Sequence, residues 1–401
     1  MSKRKLDAIT EGFVQLSDTR RKKLSNSVFS NDVLYEILSF LDDFKFIVTT
    51  CTLVSSQFAN ISKKLKLSLY CENDMKLKGQ FLQNIQSLTV NRRNRIIAFD
   101  CQLFNLMKDI STLNVSENTF ENGHCKYIGQ LKHLTNLDIS INLIGDEGVG
   151  YLRKLKQLTN LNISNNMIGE KGAQYIGKMK QLTCLNINSN HIGSEGVKFL
   201  KELKELRTLD MVYCYIGEVG AKYLSEMKQL THLDVECNNI NGGAKYLGEL
   251  KELTYLNAKY NILGDDVRYL SRLELLTDLN VANNGISAKG AKFISEMNRL
   301  VNLNIGHNNI GKEGAKFISQ MKKLTCLDIS CNSIQDEGAK CISEMKQLTS
   351  LNINSNNINK KGANYIAEMN QLTYLKIRFN IGDNGARNIL KQLPNLIDDS
   401  L

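Results

Sequence analysis

The chain has 401 residues and a formal net charge of +10. It contains no run of about 18 apolar residues, and no apolar stretch follows its basic N-terminal residues. We therefore expect neither a membrane-spanning helix nor a signal peptide. The ten cysteines form no Cys-x-x-Cys pair, which predicts free thiols in a reducing compartment and favours a cytoplasmic or nuclear location.

Residues 1–27 form a basic tail. Lys3-Arg4-Lys5 and Arg20-Arg21-Lys22-Lys23 outnumber the acidic residues of this segment. Two interpretations remain open, because such charge runs occur both in disordered solubilising tails and in segments that serve nuclear import or contact phosphates.

Residues 28–64 have the pattern of a small all-α unit. Leu34, Ile37, Leu38 and Leu41 fall on one stripe of a predicted helix. Val54 and Phe58 stand four residues apart on a later predicted helix. From this pattern alone, the unit could be a helical cap for the segments that follow it.

The same residues resemble the F-box. The segments Ile37-Leu38-Ser39-Phe40-Leu41 and Leu53-Val54-Ser55-Ser56-Gln57-Phe58 match its Ile-Leu-x-x-Leu and Val-Ser-x-x-Trp elements, with Phe58 in place of tryptophan and Phe29-Ser30 in place of the usual Leu-Pro. The resemblance implies docking to a Skp-type adaptor and, through it, to a cullin scaffold. It implies the following adaptor-facing residues: Phe29, Leu34, Ile37, Leu38, Leu41, Val54 and Phe58.

Residues 65–84 are predicted to link this unit to an array of repeats or to cap it, and residues 85–401 contain the array. A pattern L-x-x-L-x-I-x-x-N-x-I-G recurs about every 24 residues and is typical of leucine-rich repeats. The repeats start at Ile85, Ile110, Leu134, Leu158, Leu182, Leu206, Leu230, Leu253, Leu276, Leu300, Leu324, Leu348 and Leu372, with a shortened copy at Leu393.

Each repeat is predicted to contain a strand, a turn and a short helix. Leu185 and Ile187, for example, alternate with polar residues as in a strand with one buried face. Asn190 and its equivalents are predicted to bond the backbone of neighbouring turns in a ladder. The fold class is therefore α/β, a horseshoe-shaped leucine-rich-repeat solenoid with parallel strands on its concave face and helices on its convex face, preceded by the F-box-like unit.

Charged residues of the repeats are expected to lie on the helical face. Glutamates such as Glu170 come at predicted helix starts and lysines such as Lys180 near their ends, as the helix dipole favours. Pairs such as Lys222 with Glu226 are spaced for contacts within one helix. Because these lysines have a structural explanation, the net charge does not predict nucleic-acid binding.

One strand position hardly varies and is expected to serve the fold. It is occupied by Asn114, Asp138, Asn162, Asn186, Asp210, Asp234, Asn257, Asn280, Asn304, Asp328 and Asn352, and Lys376 is its exception. Ligand recognition is therefore expected where other positions depart from the repeat.

Three adjacent repeats depart together. They carry Val212, Tyr213 and Tyr215, then His232, Glu236 and Cys237, then Tyr255, Lys259 and Tyr260. Tyrosines interleaved with charge are typical of interface hot spots, so we expect a substrate-binding patch. The repeats that start at Leu230 and Leu253 each have 23 residues instead of the usual 24, and the tyrosines could instead shield a distorted core.

Two smaller candidates lie towards the ends of the array. Tyr374, Lys376, Arg378 and Phe379 form a second predicted substrate-binding group. The cluster Arg92-Arg93-Arg95 could meet an acidic or phosphorylated partner or could be a solvated turn.

The motifs do not predict an enzyme. The five histidines are scattered over different repeat positions, and no phosphate-binding loop or Cys/His metal spacing occurs. We expect no cofactor or metal and a monomer outside its complexes. Two functions compete: a substrate receptor that recruits proteins for ubiquitin transfer, and a free-standing repeat scaffold such as a small-GTPase regulator, an enzyme inhibitor or an immune-type sensor.

Overall fold

A computed structural model of the chain describes residues 67–72, 82–91, 101–380 and 393–396. The basic tail, the F-box-like unit with its adaptor-facing residues and the arginine cluster at residues 92–95 lie outside the described residues. The described residues belong to two compact units. The first comprises the described residues up to Val115 together with Gln130–Leu134, and the second comprises Ser116–Gly129 and the described residues from Thr135 onwards.

The first unit contains three parallel strands in sequence order. These are β1 (Leu67–Glu72), β2 (Ile85–Asn91) and β3 (Thr112–Asn114), with 3-10 helices at Leu82–Asn84 and Cys101–Leu106. Leu69 pairs with Leu88, which pairs with Leu113, so equivalent leucines are in register. All three side chains are buried.

The second unit repeats one strand and one helix many times. Its strands are β4 (Asn136–Asp138), β5 (Asn160–Asn162), β6 (Cys184–Asn186), β7 (Thr208–Asp210), β8 (His232–Asp234), β9 (Tyr255–Asn257), β10 (Asp278–Asn280), β11 (Asn302–Asn304), β12 (Cys326–Asp328), β13 (Ser350–Asn352) and β14 (Tyr374–Lys376). Each strand pairs in parallel with the next, and the central leucines are in register throughout.

The helices of the second unit pack side by side on the opposite face from the strands. They are α1 (Asn122–Ile128), α2 (Asp146–Leu152), α3 (Glu170–Ile176), α4 (Gly193–Leu200), α5 (Gly217–Leu224), α6 (Ala244–Leu247), α7 (Ala288–Ser295), α8 (Gly311–Ile318), α9 (Gln335–Ser343) and α10 (Lys360–Ala367). The predicted α/β solenoid, with strands on one face and helices on the other, is confirmed.

The two shortened repeats are distorted on their helical side. Helix α6 has only four residues, and the next repeat has a 3-10 helix, Gly264–Arg272, in place of an α-helix. A 3-10 helix rises about 2.0 Å per residue against about 1.5 Å in an α-helix, so fewer residues span the same length.

The core lies between the two faces and contains the leucine and isoleucine columns of the repeat. The helices approach this core closely because a glycine and an alanine recur where they face it. A Cβ atom at Gly220, for example, would lie 2.5 Å from the Ile216 Cβ, and the adjacent Ala221 is fully buried. This contact explains why the repeat keeps a glycine at this position.

The asparagine ladder joins the repeats inside this core. Asn190 is 1% exposed, and its Nδ2 donates to the carbonyl oxygens of Ile163 and Ile187, each at 3.0 Å. Its Oδ1 accepts the backbone N–H of Ile168 at 2.9 Å. Because the two carbonyls belong to successive repeats, one amide links both strands, and the predicted ladder is confirmed.

The charges of the helical face are arranged partly as expected. Glu170 lies in the first turn of its helix, and Lys180 Nζ donates to the Glu202 carbonyl of the next repeat at 3.0 Å. The ion pairs also join neighbouring repeats, since Lys201 lies 2.8 Å from Glu226. The predicted pair of Lys222 with Glu226 within one helix is therefore wrong, because Glu226 contacts the lysine of the preceding repeat instead.

Candidate interaction surface

We call the surface formed by the side chains of β4–β14 that point away from the core the strand face. At its centre, the rings of His232 in β8 and Tyr255 in β9 stack with centroids 4.0 Å apart and planes at 3°. The two residues occupy the same position of adjacent strands, so their stacking follows from the strand register. His232 Nε2 also lies 3.3 Å from Asp210 Oδ1 in β7.

Carboxylates surround this aromatic pair. Asp234 accepts the backbone N–H of Glu236 and the side-chain amide of Asn257, each at 3.0 Å. Burial raises the pKa of Asp234 above its ordinary value. Burial also raises the pKa of Tyr255, and the nearby charges of Asp234, Asp210, Asp278 and Glu236 raise it further, which indicates a negative potential at the centre of the strand face.

The lysine of this patch is engaged by its neighbours. Lys259 Nζ lies 3.5 Å from Glu236 Oε1 and 4.8 Å from the centre of the Tyr260 ring. Lys259 therefore balances one carboxylate of the patch, and the others keep the local charge negative.

Three tyrosines lie in the loops that follow the strands. The first loop position is the third residue after the end of a strand. Tyr213 and Tyr260 occupy it, with φ angles of 54° and 55°. Tyr215 lies at the second loop position, two residues after the first, with φ 57°. Tyr213 and Tyr215 are 53% and 61% exposed. A bulky residue in the left-handed region is a backbone outlier, so these side chains are presented to solvent at a cost in backbone energy.

The predicted patch is brought together by contacts between repeats. The pKa of Tyr213 is raised mainly by a hydrogen bond with the thiol of Cys237. The residues at the first loop position therefore form one row, from Tyr213 through Cys237 to Tyr260. Tyr215 stacks against His191 of the preceding repeat at 5.7 Å. That these residues bind a substrate stays a prediction.

The second predicted group lies far from the first. Lys376 Nζ lies 5.3 Å from the centre of the Tyr374 ring, and Phe379 is 77% exposed with φ 59°. The backbone N–H of Arg378 donates to Asn354 Oδ1 at 2.6 Å. Five strand spacings of about 4.8 Å separate Tyr255 from Tyr374, which amounts to about 24 Å, so the two groups form separate surfaces.

The nearly invariant strand position serves the fold, as expected. Asp138 Oδ1 accepts the backbone N–H of Ser140 at 3.0 Å, and its Oδ2 accepts the amide of Asn162 at 3.1 Å. Asp210 does not accept the equivalent backbone N–H, because the N–H of Val212 donates to Asn188 Oδ1 instead, at 2.6 Å.

Sequence reasoning missed two parts of the surface. It assigned Asp210 and Asp234 to the nearly invariant strand position, which serves the fold, and it gave Asp278 no role. The three acidic residues nevertheless stand on nearby strands. It also missed Leu143 and Met167, which are exposed at the second loop position. A comparison of that position between repeats would have found them, because four later repeats have asparagine or serine there.

The part of the chain that the structure describes contains no helix long and apolar enough to cross a membrane. Cys184, Cys214, Cys237, Cys326, Cys331 and Cys341 are free thiols, in agreement with the expectation for these positions.

The family model described as a leucine-rich repeat region matches residues 174–398, and a second, described as a leucine-rich repeat, matches residues 130–152. The first match covers more than half of the chain, and the chain therefore belongs to the leucine-rich-repeat family. It is a protein-interaction scaffold of that family. No curated protein matches the chain in sequence.

Solved structures show the same fold. An internalin from Listeria monocytogenes is 20% identical with a TM-score of 0.58, and the match covers 84% of this chain and 87% of that chain. A leucine-rich-repeat protein from Leptospira interrogans is 20% identical with a TM-score of 0.53, and the match covers 89% of this chain and 98% of that chain. At this identity the similarity concerns the fold alone.

Proposed function

We propose that the chain is the substrate-recognition subunit of an SCF-type E3 ubiquitin ligase. Residues 28–64 dock a Skp-type adaptor and thereby a cullin, and the strand face binds a protein substrate that is then ubiquitinated and degraded by the proteasome. In this role the chain performs no catalysis of its own, is monomeric outside the complex and works in the cytoplasm or nucleus.

The observation that carries the proposal is the F-box-like sequence immediately before the repeats. Ile37, Leu38 and Leu41 share a predicted helical stripe with the F-box spacing, and a leucine-rich-repeat scaffold follows. That order of segments is the one found in F-box proteins with leucine-rich repeats. The exposed tyrosines of the loops beside the strand face support a protein partner, because tyrosine is enriched in interface hot spots.

The test is a binding assay between the full chain and a purified Skp-type adaptor. The double variant Ile37→Glu with Leu41→Glu should abolish binding without lowering the melting temperature of the repeats, because an adaptor-facing stripe is exposed in the free chain. Val219→Glu is the matched control, since Val219 is an exposed apolar residue of α5 and its replacement should leave adaptor binding intact.

Two results would contradict the proposal. If the intact chain does not bind the adaptor, it is not a ligase receptor of this type. If the double variant instead lowers the melting temperature, the stripe is buried and the unit is a helical cap, which leaves a free-standing repeat scaffold.

A further inference from the structure

Exposed apolar side chains concentrate along one edge of the strand face. Among the described residues, the large apolar side chains that are exposed lie in the loops after the strands, with Leu106 and Val219 as the exceptions. The helical face is therefore almost free of exposed apolar surface, whereas the loop edge is rich in it. Concentration of apolar surface along one edge marks an interaction site more clearly than scattered single residues do.

Comparison between repeats shows that the fold does not require these residues. The second loop position holds Leu143, Met167, His191 and Tyr215 in four consecutive repeats. The same position is Asn239, Asn309, Ser333 and Asn357 in later repeats of nearly the same sequence, and Ile262 and Gly285 in the two repeats between Asn239 and Asn309. Because the later repeats form the same strand and ladder, the apolar residues add nothing that the repeat needs.

The four repeats make a continuous stripe. Neighbouring strands lie about 4.8 Å apart, so it runs for about 14 Å from Leu143 to Tyr215. Met167 is 57% exposed, and the stacked rings of His191 and Tyr215 continue the surface towards Tyr213. We call the side chains of Leu143, Met167, His191 and Tyr215 the apolar edge.

The strand face next to Tyr215, at one end of the apolar edge, is acidic, although the whole chain is basic. Asp210, Asp234, Glu236 and Asp278 lie within β7–β10 and the loop after β8, and Lys259 is held by Glu236 at 3.5 Å. The surface at β14 has the opposite sign, with Lys376 and Arg378. A partner segment that fits the centre of the strand face must therefore carry positive charge there.

We propose that the apolar edge and the acidic centre of the strand face together bind a segment of a partner protein in which lysine or arginine side chains alternate with large apolar ones. The apolar side chains pack on Met167 and Tyr215, and the cationic groups contact Asp210 and Asp234. This inference rests on the proposed function, because it states the chemistry of the protein segment that the strand face binds.

The test measures fluorescence anisotropy of labelled peptides with the full chain. A short peptide of alternating arginine and leucine should bind, and binding should weaken at least about tenfold when sodium chloride is raised from about 0.05 M to about 0.5 M, because salt screens exposed charges. Peptides of alternating glutamate and leucine, or of alternating arginine and serine, should bind at least about tenfold more weakly than the first. Equal binding of the acidic peptide would overturn the proposal.

Two pairs of substitutions locate the site. Asp210→Asn with Asp234→Asn should weaken binding of the arginine–leucine peptide at least about tenfold. Asp328→Asn is the control, because it makes the same change at the same strand position four strands beyond Asp234, and it should not weaken binding. Leu143→Asn with Met167→Asn should also weaken it, and Val219→Asn should not. The substitutions at the strand and loop positions introduce residues that other repeats carry there, and Val219 is exposed. The variants are therefore expected to fold, and melting curves verify this.

Unchanged binding by both double variants would place the peptide elsewhere and would overturn the proposal. The peptide assay contains no adaptor, and the adaptor assay contains no peptide. Failure of one proposal is therefore distinguishable from failure of the other.

Discussion

His232 and Tyr255 stack in parallel across two adjacent strands, with ring centroids 4.0 Å apart. The equivalent strand position holds small polar residues in many other repeats, such as Asn136, Asn160 and Asn302, and an aromatic residue again in β14, Tyr374. The repeat therefore tolerates asparagine at this position, and the aromatic pair is a local addition to the strand face.

A double-mutant cycle should measure the interaction within this pair. His232→Asn and Tyr255→Asn each remove one ring and leave a side chain that the repeat already uses. We expect a coupling energy of about 1 kcal/mol in the free energy of unfolding, the usual range for a stacked cross-strand pair. Additive effects of the two substitutions in urea unfolding would show that the rings lie side by side without stabilising one another.

Tyr213→Asn and Tyr260→Asn should stabilise the fold. Both tyrosines have φ near 55°, a region that asparagine adopts more readily than other side chains. We expect each substitution to raise the free energy of unfolding by about 1 kcal/mol, with a smaller gain at Tyr260 because its contact with Lys259 is lost. Thermal and urea unfolding measure the change.

The reverse substitution is the control for this prediction. Asn165 occupies the same loop position with φ 52°, so Asn165→Tyr should destabilise the fold by a similar amount. If Tyr213→Asn and Tyr260→Asn both destabilise instead, the tyrosines shield the core, and the interpretation of this row as a binding surface loses its main support.

Sequence periodicity was sufficient for the strands and the ladder because both depend on burial. Leu185 and its equivalents are buried in every described repeat, and Asn190 and most of its equivalents are buried as well. A buried column tolerates few residue types. The left-handed backbone at Tyr213 was not predictable, since it depends on hydrogen bonds between loops, such as that from the Tyr213 N–H to the Glu236 carbonyl at 3.1 Å. The acidic centre was hidden because Asp234 fills a structural role as well as carrying charge.

Asn190→Ala should be among the most damaging substitutions in the repeats. It leaves the Ile168 N–H and the carbonyls of Ile163 and Ile187 without their side-chain partner inside the core. A buried polar group without a partner costs about 1–3 kcal/mol, so we expect a loss of about 3 kcal/mol in the free energy of unfolding. Asn309→Ala is the control, because Asn309 is exposed, and its effect should stay within about 0.5 kcal/mol. Equal effects of the two changes in urea unfolding would contradict the ladder's role in stability.

The stability of the fold should fall at alkaline pH through Cys214, which replaces asparagine in the ladder. Burial raises the pKa of this thiol from 9.0 to about 12. A group whose pKa is higher in the folded state contributes stability that is complete below its unfolded pKa and is lost as pH rises. Unfolding in urea should therefore become easier from about pH 9 towards pH 12, because the unfolded chain ionises the thiol first.

Cys214→Asn separates this effect from other alkaline transitions. The thiol donates to the Ile187 carbonyl over 3.3 Å, and an asparagine amide would make the same contact and also accept from the neighbouring backbone. The variant should gain about 1 kcal/mol at pH 7 and lose less stability between pH 9 and pH 12 than the original chain does. Parallel pH profiles of the two proteins would show that ionisation of Cys214 does not control the alkaline loss.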